Sequence, residues 1–229
     1  MHINAVVTPR YWLAKLNLWA FQRRFPEAPW LVESAIYLLD KWLRPSDRGI
    51  EWGAGRSTIW FASRVQHLIT VESNQQWYEK VKVSLREKGL LEKVDLHYIP
   101  VDVKDSENPV SHPFADIVDS LPDESIDFAL VDAKIRVLCM EKVMEKIKPR
   151  GLLILDNSER YVPNKVMGQS ATLICTCDRC PDDRWAKLME KLHPWREIMT
   201  TNGIWDTRLW VKPTGNDLFD NYKREPKDR

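Results

Sequence analysis

The stretch IEWGAGRSTIWFA, Ile50 to Ala62, ends an apolar run in a turn with two glycines and passes at once into a helix-forming segment. Gly53 and Gly55 let the chain turn tightly, and they let a ligand approach the backbone with no side chain between. Ser57 and Thr58 follow as helix caps, and the free N–H groups of that helix attract a carboxylate or a phosphate. In an open parallel sheet such a turn marks the carboxyl ends of the strands, where ligands bind.

The flanking pattern fits that sheet. Short apolar runs near 49–52, 68–72, 94–99, 126–132 and 152–156 read as strands, and segments near 57–64, 75–88 and 137–147 read as helices. Strands that alternate with helices pair in parallel through right-handed crossovers, which gives an α/β doubly wound sheet. Two N-terminal helices precede it, near 9–24 and 29–43, separated by Pro26 and Pro29. After a helix near 183–192, Asn202-Gly203 divides two β-prone arms, so the sheet should finish with an antiparallel hairpin. Residues 1–45 are thus expected to form a helical cap, 46–213 the binding domain and 214–229 a polar tail.

Composition excludes several functions. The 229 residues are 44% hydrophobic and 29% charged, enough for a full core and a solvated surface. With 34 basic against 33 acidic residues, no long block of one charge is available to track nucleic acid. Nowhere do 18 apolar residues run together, so no membrane span is expected. Four cysteines make no disulfide framework, and a cytoplasmic setting is expected. Eleven tryptophans are many for this length, and Trp12, Trp19, Trp30 and Trp42 read mostly as core. Cap or subunit contacts, and with them a homo-oligomer, are the alternative.

Acids at successive strand ends sharpen the ligand. Glu72 follows Gly55 by 17 residues, close to the roughly 20 of a carboxylate that accepts ribose hydroxyls. Asp102 stands where it could accept from an adenine amine, and Asp132 and Asp156 end the fourth and fifth strands. A dinucleotide turn would carry a third glycine where Thr58 stands. S-Adenosylmethionine, with a carboxylate for the turn and an ammonium for nearby acids, is the other candidate.

The blocks GIEWGAGRSTIWFASRVQHLITVES, IDFALVDAKIR, GLLILDNSERY and TRLWVKP resemble the class I S-adenosylmethionine-dependent methyltransferases. They look most like a branch with an E-W-G-x-G-x-S-T turn and a D-N-S-E-R segment. The resemblance covers about 45–213 and implies a seven-stranded, mostly parallel Rossmann-like sheet with its last strand inserted antiparallel. It implies that Glu51, Gly53 and Gly55 border the methionine part of the cofactor and that Ser57 and Thr58 reach its carboxylate. Glu72, with Ser73, would hold the ribose, Asp102 the adenine, and Asp132 would stand beside the sulfonium. Ala133 replaces the glycine that the branch more often has.

The acceptor is expected to be a small molecule methylated through oxygen. Candidates around it are Asp132, Lys134, Arg136, Asp156, Asn157, Glu159, Arg160 and Tyr161, with Asp132, Lys134 and Asp156 as catalytic groups and Lys134 or a buried acid as base. Cation-dependent O-methyltransferases look similar at VDAK and LDN, which would make Asp132, Asp156 and Asn157 ligands of Mg²⁺ or Ca²⁺. Lys134 follows the Asp by two residues where those enzymes usually place it by three. Cys175, Cys177 and Cys180 could bind zinc with His193 or Cys139, although free thiols fit the spacing better. The rivals to a methyltransferase are a nucleotide-dependent oxidoreductase and an inactive adenosyl-binding module.

Overall fold

The computed structural model describes residues 9–102, 109–162 and 180–215. Seven strands form one sheet: β1 Arg48–Trp52, β2 His67–Glu72, β3 Val94–Tyr98, β4 Ile126–Val131, β5 Ile147–Asp156, β6 Arg196–Thr201 and β7 Asp206–Val211. Their order is β3-β2-β1-β4-β5-β7-β6. The first five pair in parallel and β7 runs antiparallel to both β5 and β6, as the Asn202-Gly203 signal predicts. The order reverses between β1 and β4, and there the turn after β1 opens.

Strands covered on both faces must be apolar, and in the centre of the sheet β4 and residues 152–155 of β5 are, whereas the edge strands β3 and β6 are largely polar and more exposed. In β4, Ala129 and Val131 point into one core and Phe128 and Leu130 into the other. The first core lies under α5 Pro113–Asp116, α6 Arg136–Val143 and α7 Asp183–Leu192. The second lies under α2 Glu33–Trp42, α3 Arg56–Ala62 and α4 Gln75–Glu87. α1, Pro9–Arg24, precedes them. Trp52, fully buried at the end of β1, donates its indole N–H to the Phe114 carbonyl at 2.7 Å and so ties the site's edge to α5.

Two expectations fail here. The helix expected to reach Ile147 ends at Val143, because β5 already begins at Ile147 and passes an irregularity with Arg150 at φ 67° before Gly151. A Cβ on Gly151 would lie 2.8 Å from the Asp127 carbonyl, so this glycine is a close-packing position inside the strand. The four early tryptophans are also not core: Trp12, Trp19, Trp30 and Trp42 are all exposed, and Trp52, Phe61, Phe128 and Trp210 fill that role. Apolar periodicity alone does not tell which face of a helix meets the sheet when both faces are apolar.

Candidate functional site

The turn after β1 is laced into its neighbours. Gly53 N–H donates to the Val71 carbonyl and Asp132 N–H to the Trp52 carbonyl, each at 2.9 Å. Gly53 has φ 99°, and a Cβ there would sit 2.2 Å from the Asp132 carbonyl oxygen, so only glycine fits. Gly55 differs: its backbone is extended, and a Cβ would meet nothing nearer than the Trp77 indole nitrogen at 3.6 Å. The protein itself does not require glycine at that position; an incoming ligand would.

A cavity of about 330 Å³ opens at this turn, within the range of small-molecule sites. Gly53, Ala54, Gly55, Arg56 and Ser57 form its floor, Glu72 and Ser73 one side, Asp132, Ala133 and Lys134 another, and Trp30, Leu31 and Trp77 a wall. Glu72 is buried and accepts from Ala54 N–H at 2.8 Å through Oε2 and from Asn74 N–H at 2.6 Å through Oε1. Each carboxylate oxygen retains a second lone pair for ligand hydroxyls. The acid therefore fixes the turn while facing the cavity.

Glu51 lies fully buried beneath the turn. Thr70 donates to its Oε1 at 3.0 Å, and Oε2 has no partner in hydrogen-bond geometry. Burial lifts its carboxyl to about 7 against the pull of the Thr58, Ser57 and Thr70 hydroxyls. Glu51 is absent from the cavity lining, so the structure places it behind the turn and not against a ligand in the cavity. Thr58 does not reach the cavity; it is buried, and its hydroxyl accepts from Gly55 N–H at 2.9 Å to hold the turn. Asp102 is exposed, lies immediately before the undescribed residues 103–108, and is absent from the lining, so the structure does not bring it to the others.

The aromatic wall escaped the sequence reading. Trp30 and Trp77 stack at 6.2 Å and 25° between ring planes, with the Arg56 guanidinium 5.1 Å from the Trp30 ring. Trp77 is held by its indole N–H on the Ala54 carbonyl and by its backbone N–H on the Asn74 side chain at 2.9 Å. The available signal was Asn74: an N-cap two residues after Glu72 sets the register of α4 and turns its first aromatic onto the glycine turn.

Beyond Asp132, the expected metal trio is gathered around an arginine. Arg136 donates through Nη2 to Asp132 Oδ1 at 2.8 Å and to Asn157 Oδ1 at 3.4 Å, through Nη1 to the Asp156 carbonyl, and through Nε to the Ala133 carbonyl at 2.8 Å. Tyr161 covers the guanidinium at 5.3 Å and stacks on Trp185 at 4.7 Å. Asp156 is itself turned to Thr207, whose hydroxyl donates to Oδ1 at 2.6 Å. Burial first, then the charge of Asp132, pushes the Asp156 carboxyl up to about 8. Asp132 is also raised by burial, with Arg136 opposing. A donor set for Mg²⁺ or Ca²⁺ needs charged oxygens converging on one point. Here that point holds a guanidinium and one of the acids favours its neutral form, so the trio does not fit a divalent ion. Among the described residues no group of three His, Cys, Asp or Glu is placed to hold a metal.

Two left-handed residues frame this cluster. Ile135, at φ 47°, and Asn157, at φ 49°, are each the residue before a helical turn. A β-branched residue in that conformation stores strain, which persists where the surroundings demand it. Ile135 is the hinge that swings Arg136 back under Asp132. The Lys134 ammonium reaches the Val101 carbonyl at 2.9 Å and bridges the ends of β3 and β4. Glu159 accepts from Asp206 N–H at 2.9 Å, a structural role. Of the proposed zinc ligands, Cys175 and Cys177 lie outside the described residues, Cys180 is a free thiol, and Cys139 is buried in α6 with burial pushing its thiol up.

No family model matches the sequence, and neither does any curated protein. Solved structures do share its architecture. A methyltransferase from Geobacter sulfurreducens superposes with TM-score 0.53 over 91% of this chain and 90% of its own, at 15% identity. The O-methyltransferase TomG from Streptomyces achromogenes, involved in tomaymycin synthesis and solved with S-adenosylmethionine, gives 0.51 over 78% and 77%, at 21% identity. An O-methyltransferase from Bacillus cereus in complex with S-adenosylhomocysteine gives 0.51 over 77% and 78%, at 15% identity. The chain has the Rossmann-like methyltransferase fold. In this methyltransferase fold the cavity at the β1 turn lies at the strand-order reversal, between β1 and β4.

Proposed function

We propose that the protein transfers a methyl group from S-adenosylmethionine to an oxygen of a small-molecule acceptor. The observation that carries this reading is Gly55, a glycine that no protein contact requires, on the floor of a cavity flanked by the Glu72 carboxylate. Supporting it, the lone pairs that the backbone donors leave free on the Glu72 carboxylate match the sugar hydroxyls of that cofactor. The Trp30 and Trp77 wall matches an apolar, planar group. Ser57 and Ser73 add hydroxyls at the lining.

When bound, the cofactor supplies an activated methyl on sulfur that leaves a neutral thioether, so no anionic leaving group has to be stabilised. The chain's tasks are therefore to position the acceptor and remove its proton. Asp132 is the base: it lines the cavity, its side chain is 37% exposed, and burial raises its basicity. The acceptor hydroxyl passes its proton to the Asp132 carboxylate as its oxygen takes up the methyl. Asp156 is too deeply buried to touch an acceptor and instead favours a negative Asp132 only while it stays neutral itself. Arg136 is a positioning residue that holds Asp132 in place and keeps it ionised. Lys134, engaged by Val101, shapes the rim.

The transfer proceeds without a divalent ion, because Arg136 supplies the positive charge at that point. Release of tritiated methyl from S-adenosylmethionine onto a panel of phenols and catechols tests the proposal. Turnover that is unchanged by EDTA is expected; turnover that requires added Mg²⁺ refutes the cation-free reading, and transfer to none of the hydroxylated acceptors refutes the O-methylation.

A further inference from the structure

α1 is apolar on two sides. Its inner side packs inward through Leu18 and the half-buried Ala14 and Phe21. The outer side carries Trp12, Leu13, Leu16 and Trp19 at 60%, 58%, 58% and 55% exposure. At about 100° per residue, Trp12, Leu16 and Trp19 form one stripe with Leu13 beside it. Lys15 borders that stripe on one side and Arg24 on the other, both exposed. Arg23 closes its C-terminal end with its guanidinium 5.1 Å from the Trp19 ring.

Charge is as uneven as polarity. α1 contains Arg10, Lys15, Arg23 and Arg24 and no acid, and the first acidic residue of the chain is Glu27, although the whole chain is only +1. A stripe of Trp and Leu edged by Lys and Arg is the pattern of a helix lying in a lipid interface: indoles sit at headgroup depth, aliphatic stems reach along the apolar face, and cations meet anionic headgroups. A second copy set stripe to stripe would bring the cations of both helices together with no acid of α1 to offset them. The helix has 16 residues, and none among those described is long and apolar enough to cross a membrane.

We infer that α1 docks the protein peripherally on an anionic bilayer surface through Trp12, Leu16 and Trp19, with Lys15, Arg23 and Arg24 on the headgroups. The inner side of α1 rests on the β6–β7 turn, where a Cβ on Gly203 would lie 3.3 Å from that of Ala14. That turn is at the carboxyl edge of the parallel strands, because Asp206 and Thr207 follow it and Thr207 pairs with Asp156 at the end of β5. Docking therefore holds the edge that carries the cavity at the lipid surface.

The test is flotation of the full-length protein with vesicles of equal phosphatidylcholine and phosphatidylglycerol, against phosphatidylcholine alone. Binding to the mixed vesicles that weakens with salt is expected, because headgroup attraction is screened. Each cation at such a surface contributes roughly fivefold to partitioning, so Lys15→Glu with Arg24→Glu should weaken binding by about 25-fold or more. Trp12→Ser with Leu16→Ser and Trp19→Ser should abolish it. These side chains are exposed, so both variants should keep the wild-type melting midpoint. Should the triple variant fail to fold, quenching of wild-type tryptophan fluorescence by lipids brominated in the acyl chains gives the same answer, and Trp12→Phe with Trp19→Phe should reduce it. No flotation with the mixed vesicles, flotation indifferent to the charge reversals, or a wild-type dimer in sedimentation velocity that the triple variant dissociates would overturn the inference. S-Adenosylhomocysteine binding, measured separately by calorimetry, does not depend on this docking.

Discussion

Replacing Arg136 by Met removes a cation that is only 9% exposed while keeping most of its aliphatic volume. Four acceptors lose their donor: the Asp132 carboxylate, the Asn157 amide oxygen and the carbonyls of Ala133 and Asp156. Breaking a buried ion pair from one side costs about 3–5 kcal/mol. The lower end applies, because Asp132 is 37% exposed at its side chain and can relieve itself by taking a proton. About 3 kcal/mol in a domain of this size lowers the melting midpoint by about 6–12 °C. The loss should depend on pH. Burial raises the carboxyls of both Asp132 and Asp156, and an acid that takes up a proton no longer needs the cation, so the penalty should shrink as pH falls. Differential scanning calorimetry of wild type and Arg136→Met at about pH 8 and about pH 5 should thus show a large gap that narrows in acid. A gap under about 2 °C at the higher pH, or one equal at both, would refute the role given to Arg136.

Three further outcomes follow from the same geometry. Gly53→Ala forces a Cβ to within 2.2 Å of the Asp132 carbonyl at a positive φ, so it should destabilise by about 3 kcal/mol in denaturant unfolding. Glu51 and Asp156 have folded values of about 7 and about 8, above their ordinary 4.5 and 3.8. The folded state then binds the extra protons, and the stability they contribute, complete below about pH 4, is lost as pH rises through 7 and 8. Urea midpoints of the ligand-free protein should record that fall, and Glu51→Gln should flatten it near pH 7. Asp132→Asn should lower kcat by about 10²–10⁴-fold while S-adenosylhomocysteine affinity in calorimetry stays within a few-fold, a split that a merely structural Asp132 would not give.

Much of the fold was legible because its signals are local. The alternation of apolar runs and helices located five strands, and Asn202-Gly203 announced the antiparallel β6–β7 pair. Residues 9–24 and 183–192 read as helices and are helices. What misled were residues whose role depends on distant partners. Thr58 looks like a ligand donor but spends its hydroxyl on Gly55, and Asp102 lies exposed beyond Tyr98, the end of β3, whereas Glu72 ends β2 and is buried. Asp132, Asp156 and Asn157 have the right chemistry for an ion, and only the left-handed Ile135 reveals that Arg136 fills the space between them. Trp30 comes to the site through its stacking on Trp77, 47 positions away, which periodicity along one helix cannot show.

The central claim is that the β1 turn holds S-adenosylmethionine, and titration calorimetry tests it most directly. One S-adenosylhomocysteine should bind per chain, NAD should give no heat, and Gly55→Val, whose Cβ would meet no protein atom closer than the Trp77 indole nitrogen at 3.6 Å, should abolish binding without lowering the melting midpoint of the free protein. Heat with NAD and none with S-adenosylhomocysteine, or wild-type affinity in Gly55→Val, would contradict it.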